Sequence, residues 1–440
     1  MRTARHVVAG ALLAAVLFAP AAASGAAGDL DRSFGHDGVA VTDVLHGAFD
    51  TAYGTAQQSN GKIVVAGTVE TNAGQRFCVL RYRTNGKLDR SFGGDGRVTT
   101  SFGGSFQQAR DVAIQEGKIV VAGTAYASGR PAFALARYLP DGTLDPGFGS
   151  SGRVLAHISA GSVDSASALL VLPSGDLIVA GSTLSPTSTP SDFAVARFDA
   201  NGELISSFGG DGTVTVDFGG RDDRAAALTR TAGGGIVLAG SSEVDGSSDF
   251  ALAELHPNGD PVPVFGTGGI VRTTFGGVDP MPAEALDVVT LPSGKVIAVG
   301  SVFVGPMTRE HDAALARYRS DGSLDPTFGS GGLVTTDVGS PRGDDSATSV
   351  AVQANGKIVT AGTTSIKTFM YDHRFAVTRY LTDGTLDAGF GSDGSVTTDF
   401  GNGWDLARDV IVTDDGTILA AGEAGASRGG DIALARYRAA

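Results

Sequence analysis

One phrase recurs seven times along this chain. "LDPGFGSSG" begins at Leu144, with near-copies "LDRSFGHDG" from Leu30, "LDRSFGGDG" from Leu88, "LDPTFGSGG" from Leu324 and "LDAGFGSDG" from Leu386. Two worn copies, "LISSFGGDG" from Leu204 and "PVPVFGTGG" from Pro261, fill the gaps. The copies divide the chain into units of 55 to 63 residues. A length of 440 residues would ordinarily suggest two or three domains, but a regular internal repeat overrides that expectation. Whatever one unit becomes, seven of them must pack as near-equals.

The unit from Asp345 reads as four short strands. "ATSVAVQ" is the first and "KIVTAG" the second, with Asn355-Gly356 between them expected as a two-residue hairpin turn. "FAVTRY" is the third, and "GSVTTDF", after the phrase, is the fourth. Each alternates with period two and favours β-branched and aromatic residues, and no segment sustains a helical period. The 65 glycines and the charged fraction of 18% fit many strands joined by turns. A four-stranded sheet with two apolar faces must pack against neighbours. Seven of them arranged radially bury both faces, so the expected fold is all-β: a seven-bladed β-propeller of four-stranded antiparallel blades.

The ends of the chain support closure. "GVAVTD" (Gly38 to Asp43) is of the fourth-strand type, and "DIALARY" (Asp431 to Tyr437) of the third. The terminal units are each incomplete and complementary. Val39 to Asp43 is expected to pair with Ile432 to Tyr437 on the rim of the last blade, which closes the ring and leaves no dangling edge.

The pattern "LDxxFGxxGxVxTDFG", then "AVAVQxNGKIVVAG", then "FALARY" resembles the delta-60 repeat family, a bacterial β-propeller repeat. The resemblance covers Leu30 to Ala440 and is weakest in the fourth and fifth units, where "FALAEL" puts Glu254 and Leu255 in place of Arg-Tyr. It implies an architecture and supplies no catalytic residues.

Residues 1–23 read as a signal peptide: Arg2 and Arg5, the apolar run Val7 to Phe18, and small residues near Ala23. Residues 24–29 are then a short linker and 30–440 a single propeller domain. The run is too short for a comfortable membrane span. A secreted protein that does not engage membrane is expected, and a monomer. The formal charge is −14, two units more negative once Arg2 and Arg5 leave. Such a surface repels phosphate backbones and anionic headgroups, so nucleic acid is excluded as a partner. Cys78, the single cysteine, stands where "DFAVARF" (Asp192 to Phe198) has alanine and reads as a small buried residue.

Spacing separates two ends of the blade. The third-strand aromatic position precedes the glycine of "FG" by 11 residues in six units, and the hairpin glycine precedes the "AG" glycine by 6 in all seven. Both connections lie at one end, so the phrase reads as a structural connector whose phenylalanine fills the gap between blades. At the other end the two spacings run from 24 to 28 and from 15 to 18 residues. Variation of this kind collects on the binding face of repeat proteins.

Candidate sites follow from that face. Asp50, Asp164, Asp223, Asp345 and Asp405 precede the innermost strand in five units. They could converge on the channel mouth around calcium, or each could cap a turn by accepting backbone N–H groups. "GGDG" at Gly93 and Gly209 lacks the further aspartate of glycine-rich calcium repeats and reads as a turn. Arg81, Arg137, Arg197, Arg317, Arg379 and Arg436 end the third strand, and pairing with the "TD" aspartates Asp43, Asp217, Asp337 and Asp399 would hold outer strands in register. The longest insertions and the single tryptophan place Met307, Arg309, Glu310, His311, Phe369, Tyr371, His373 and Trp404 on three adjacent blades. These make either a ligand-binding patch or loop packing over the rim. HExxH, GxSxG and phosphate-loop motifs are missing. The expected function is a binding or scaffold module for an extracellular glycan, peptide or protein; the alternative is a lyase or hydrolase with its site at the same mouth.

Overall fold

In the computed structural model of the chain, the residues described are 25–127, 129–186, 190–219, 221–276, 281–304, 310–339, 343–366, 372–401, 403–425 and 430–439. Among them, 28 strands form seven four-stranded antiparallel sheets, with no helix. Strand β1 (Val39–Thr42) comes first. Blade one follows as β2 (Asp50–Gln57), β3 (Ile63–Thr71), β4 (Gly74–Tyr82) and β5 (Arg97–Thr100). Blades two to six repeat this order. Blade seven has three strands of its own (Leu406–Val412, Ile418–Ala424 and Asp431–Tyr437) and takes β1 as its fourth.

The closing register is Val39 opposite Ala435, Ala40 opposite Leu434, Val41 opposite Ala433 and Thr42 opposite Ile432. The seam extends further back. Gly28 N donates to Arg438 O, Asp31 N to Arg436 O, and Gly391 N in blade six to Ala27 O. Ala27 thus does for blade six what Asp141 does for blade one, where Gly93 N donates to Asp141 O. The stretch Ala27 to Leu30 is already part of the ring.

The core lies between blades. Seven clusters of buried apolar side chains each draw on two neighbouring blades. One joins Val64, Phe77 and Val79 to Val112, Ile119 and Tyr138; the seam cluster joins Ile63, Val65 and Leu80 to Leu419, Ile432 and Leu434. The seven phrase phenylalanines, at 34, 92, 148, 208, 265, 328 and 390, are all 0% exposed. Each contributes roughly 1.5–3 kcal/mol by leaving water.

Inner strands carry a β-bulge, as between Ala52 and Gly54, Ala109 and Asp111, or Ala407 and Asp409. The "AG" glycine of the second strand faces it. A Cβ on Gly67 would sit 2.0 Å from Thr51 O, and one on Gly300 1.8 Å from Glu284 O. Only glycine admits so close a backbone.

Two local expectations are corrected. Asn355-Gly356 does not form a two-residue turn: Val352 pairs with Ile358, and only Gly356 has positive φ, at 81°. Gly356 N closes back on Gln353 O and Asn355 Oδ1 accepts from Lys357 N, so the glycine follows a tight turn rather than sharing it. Both central residues are left-handed in Glu116-Gly117 of blade two instead. The third-strand arginines do not pair with the "TD" aspartates, which lie at the opposite end of the blade. In five of the six the partner is the aspartate of the phrase: Arg81 with Asp89 at 2.9 Å, Arg137 with Asp145 at 2.8 Å, Arg317 with Asp325 at 2.8 Å, Arg379 with Asp387 at 2.7 Å and Arg436 with Asp31 at 2.7 Å; Arg197 pairs with Asp176 at 2.7 Å.

Candidate functional site

The constant face is occupied by its own connectors. Arg81 Nη1 donates to Pro140 O of blade two while Arg81 stacks over Phe92, 4.8 Å from the ring centroid. Lys62 Nζ reaches the same Asp89 carboxylate at 2.7 Å. The buried arginine–aspartate pair of the phrase therefore latches one blade to the next, while Arg32, His36 and Asp37 of its first copy stay exposed. Cys78 is fully buried, and burial pushes its thiol far above the usual range.

The expected patch on the variable face is partly described. Met307, Arg309, Phe369 and Tyr371 lie outside the described residues. Glu310 is buried, whereas His311, at the start of the third strand of blade five, is exposed and packs edge-on against Phe303 with centroids 5.4 Å apart. His311 Nδ1 lies 3.5 Å from Asp344 Oδ1, in the connection to blade six. Half-burial lowers the His373 pKa, and the charge of Asp344 opposes that shift. His373 in turn meets Trp404 edge-on at 4.9 Å, and Trp404 is 37% exposed. The fold thus brings His311, Asp344, His373 and Trp404 into one neighbourhood, with Asp344 the member that spacing did not single out. Residues from blades five, six and seven can there present aromatic surface, imidazole donors and one carboxylate.

The five cap aspartates are buried, at 0% or 1% exposed, and each accepts a backbone N–H from the preceding connection. Asp50 Oδ2 takes Val44 N at 2.6 Å, Asp164 Oδ2 takes Ile158 N at 3.2 Å, and Asp223 Oδ2 takes Phe218 N at 2.8 Å. Asp345 Oδ2 takes Val338 N at 2.7 Å and Asp405 Oδ2 takes Phe400 N at 2.8 Å. They cap turns at five separate junctions. Among the described residues they do not gather into one metal-sized group; Asp50 and Asp223 each join a different one. Burial, reinforced by nearby carboxylates, raises the Asp50 pKa to about 6 and that of Asp345 to about 7.

Sequence reasoning missed the channel. Asp111, Asp287 and Asp409, on the inner strands of blades two, five and seven, reach across to the next blade. Asp111 Oδ2 accepts Leu169 N at 2.7 Å, Asp287 Oδ2 accepts Val350 N at 2.7 Å, and Asp409 Oδ2 accepts Thr55 N at 2.6 Å. All three are half-buried. Burial first, then mutual repulsion, lifts Asp111 to about 8 and Asp287 to about 7; burial lifts Asp409 as well. Ser349 Oγ lies 3.0 Å from Asp287 Oδ2 and 2.9 Å from Asp409 Oδ1. One hydroxyl proton cannot serve both carboxylates, so this geometry favours a protonated partner. Also across the inner strands, Tyr53 has Arg110 4.3 Å from its ring centroid and Arg408 at 5.8 Å, from the blades on either side. Tyr53, Arg110 and Arg408 are the unpaired residues within the bulges of their strands, a signal visible only once the bulge is known. A cleft of about 700 Å³ opens on the variable face of blade one, lined by Leu45, His46, Phe49, Glu70 and Thr71 among others.

The "Domain of unknown function (DUF5122) beta-propeller" model matches residues 58–92, 116–148, 172–208, 234–261, 291–328 and 353–390. No curated relative matches the sequence. Among solved structures, the chain is similar to a protein of unknown function from Dyadobacter fermentans, at 12% identity over 91% of this chain and 98% of that one, TM-score 0.44. It is also similar to Drosophila Semaphorin 2a, at 9% identity over 91% and 75%, TM-score 0.49. A catalytically inactive virginiamycin B lyase from Staphylococcus aureus, with quinupristin, gives 9% identity over 90% and 98%, TM-score 0.46. At these identities and scores the likenesses carry nothing about what this chain binds. Each matched stretch runs from a hairpin turn into the phrase, and the one such run left unmatched is divided between the chain's two ends. Six of the seven units of this chain therefore carry the DUF5122 β-propeller repeat; the seventh, completed by ring closure, is not matched.

Proposed function

We propose that this chain is an exported binding module, and that it holds an extracellular glycan, peptide or protein on the variable face at blades five to seven. The observation that carries this reading is the neighbourhood of His311, Asp344, His373 and Trp404. An exposed indole beside imidazole and carboxylate groups offers both stacking and hydrogen bonding. The opposite face carries the buried latches between blades, and the variable face carries the insertions. Export rests on the signal-like residues 1–23, which lie outside the described residues; among the described ones, no helix is long and apolar enough to cross a membrane.

Glycan and peptide arrays probed with the mature protein test the reading. Binding that drops at least tenfold in Trp404→Ala and His311→Ala, with unfolding unchanged, supports it. Binding untouched by both substitutions contradicts it. Release of cleaved product from a captured glycan or peptide would favour the lyase or hydrolase alternative.

A further inference from the structure

Three positions meet at each blade junction on the variable side: the start of a third strand, the end of the fourth, and the cap residue of the next blade's inner strand. At the seam these are Asp431, Asp43 and Asp50, and one oxygen from each lies within 4.8 Å of the others. Asp50 is 0% exposed. Its Oδ2 accepts the Val44 N–H, but its Oδ1 has no hydrogen-bond partner, and neither does the buried Oδ1 of Asp43. The residue facing Asp50 across the sheet is Val69, which can donate nothing. Fully buried carboxylate oxygens without a donor are costly and rare.

The other junctions act as internal controls. Where Ala132 and His157 replace two of the acids, Asp164 is equally buried but fully satisfied. Thr183 Oγ1 donates to its Oδ1 at 2.6 Å, and Ser162 Oγ to its Oδ2 at 2.8 Å. Where Arg374 replaces the third-strand acid, its guanidinium stands 3.2 Å from Asp399, and both Asp405 oxygens accept backbone N–H groups. Where Arg76, Ser101 and Gln107 meet, no acid remains, and Gln107 Oε1 takes over the cap to Phe102 N. The orphan oxygen vanishes where the acids are replaced or hold their own cation; at Asp312, Asp337 and Asp345 it persists on Asp345 Oδ1, but those three acids do not close to metal size. Asp192, Asp217 and Asp223 repeat the seam's arrangement between blades three and four, again with an orphan Asp223 Oδ1, although Arg272 stands near enough to act on Asp223 there.

We propose that Asp43, Asp50 and Asp431 form a divalent-cation site of the calcium class that fastens the seam of the ring. The three carboxylates offer one oxygen each to a common point, an all-oxygen donor set suited to a hard cation, with His46 Nδ1 3.3 Å from the other oxygen of Asp43. The three ligands come from the N-terminal rim strand, the last blade and the first blade, so binding free energy becomes ring-closure free energy. Asp192, Asp217 and Asp223 are a second, weaker site by the same logic.

The test is calcium titration by calorimetry on the chelator-treated mature chain, with thermal unfolding in calcium, magnesium or chelator. At calcium concentrations about a hundredfold above Kd, Tm should rise by about 3–5 °C. Magnesium should do less. The double variant Asp43→Asn/Asp431→Asn, which leaves the Asp50 cap in place, should lose one binding event per chain; any remaining event should go with Asp192→Asn. If the double variant does not fold, Asp431→Asn alone should weaken calcium binding at least tenfold. No calcium binding to the wild-type chain, or an isotherm and Tm shift unchanged by the seam substitutions, overturns the proposal.

Discussion

At the residue scale, the repeats test one another. Tyr138 OH donates to Thr100 Oγ1 of the preceding blade at 2.7 Å, and Tyr82, Tyr318, Tyr380 and Tyr437 meet Thr42, Thr273, Thr336 and Thr398 in the same way. In blades three and four the tyrosine position holds Phe198 and Leu255, and the threonine position holds Ala156 and Val216. Both partners disappear together, so no buried hydroxyl is left alone. Tyr138→Phe should therefore cost about 1–3 kcal/mol in denaturant unfolding, and adding Thr100→Val should restore most of it. A double variant no more stable than the single would contradict the pairing. Charge pairs obey the same rule. Blade three lacks the phrase aspartate, and Arg197 pairs instead with Asp176, which stands where other blades have lysine. Blade four has Gly235, Glu254 and Val262 at the three positions and forgoes the network.

The channel aspartates predict a pH dependence. A carboxyl raised to about 8 or 7 in the folded state, as in Asp111 and Asp287, binds its proton more tightly folded than unfolded. Its contribution is complete below about pH 4, where both states are protonated, and is lost as pH rises through 7 to 8. Asp89 and Asp325 act oppositely. Burial opposes their charge, yet lysine, hydroxyl and arginine partners outweigh it and hold both well below the usual range, so their contribution is lost as pH falls below about 4. Unfolding midpoints should peak near pH 5 and decline toward pH 8, and Asp111→Asn should flatten that decline. A midpoint that rises steadily from pH 5 to 8 would contradict the assignment.

At the element scale, the second strand and the bulged inner strand define each other. Gly67, Gly123, Gly181, Gly240, Gly300, Gly362 and Gly422 each face a carbonyl that a Cβ would approach within 1.8 to 2.0 Å. None of these seven has positive φ, so the demand is for space and not for conformation. Gly67→Ala should destabilise the protein by about 2–3 kcal/mol, read as a lowered Tm, whereas Gly233→Ala, without positive φ and with only Thr231 Oγ1 at 3.9 Å from an added Cβ, should cost less. The contrast was only half legible. The constant spacing of the "AG" glycine was visible in one dimension, but its cause, a bulge on the partner strand, is a two-strand feature. The phrase, the strands and the closure could be read because each repeats in order along the chain. The channel aspartates could not. Their seven equivalent positions hold Gly54, Asp111, Ala168, Ala227, Asp287, Ser349 and Asp409, which look unrelated until the ring sets them side by side. The arginine partner was misread for a similar reason: spacing alone does not say which acid shares an end of the blade.

At the scale of the whole molecule, every blade rests on two neighbours, and the seam is the one junction without chain continuity across its outer strand. Its apolar cluster and its register match those of the other six, so the ring has no weak point in packing. The most direct measurement is hydrogen exchange followed by mass spectrometry. It compares the N-terminal rim strand, residues 39–42, with its counterpart in blade one, residues 97–100. A closed ring predicts equal, slow exchange in the two strands, with residues 432–437 protected alongside. Exchange of 39–42 at the rate of an unpaired tail, while 97–100 stays protected, would contradict it.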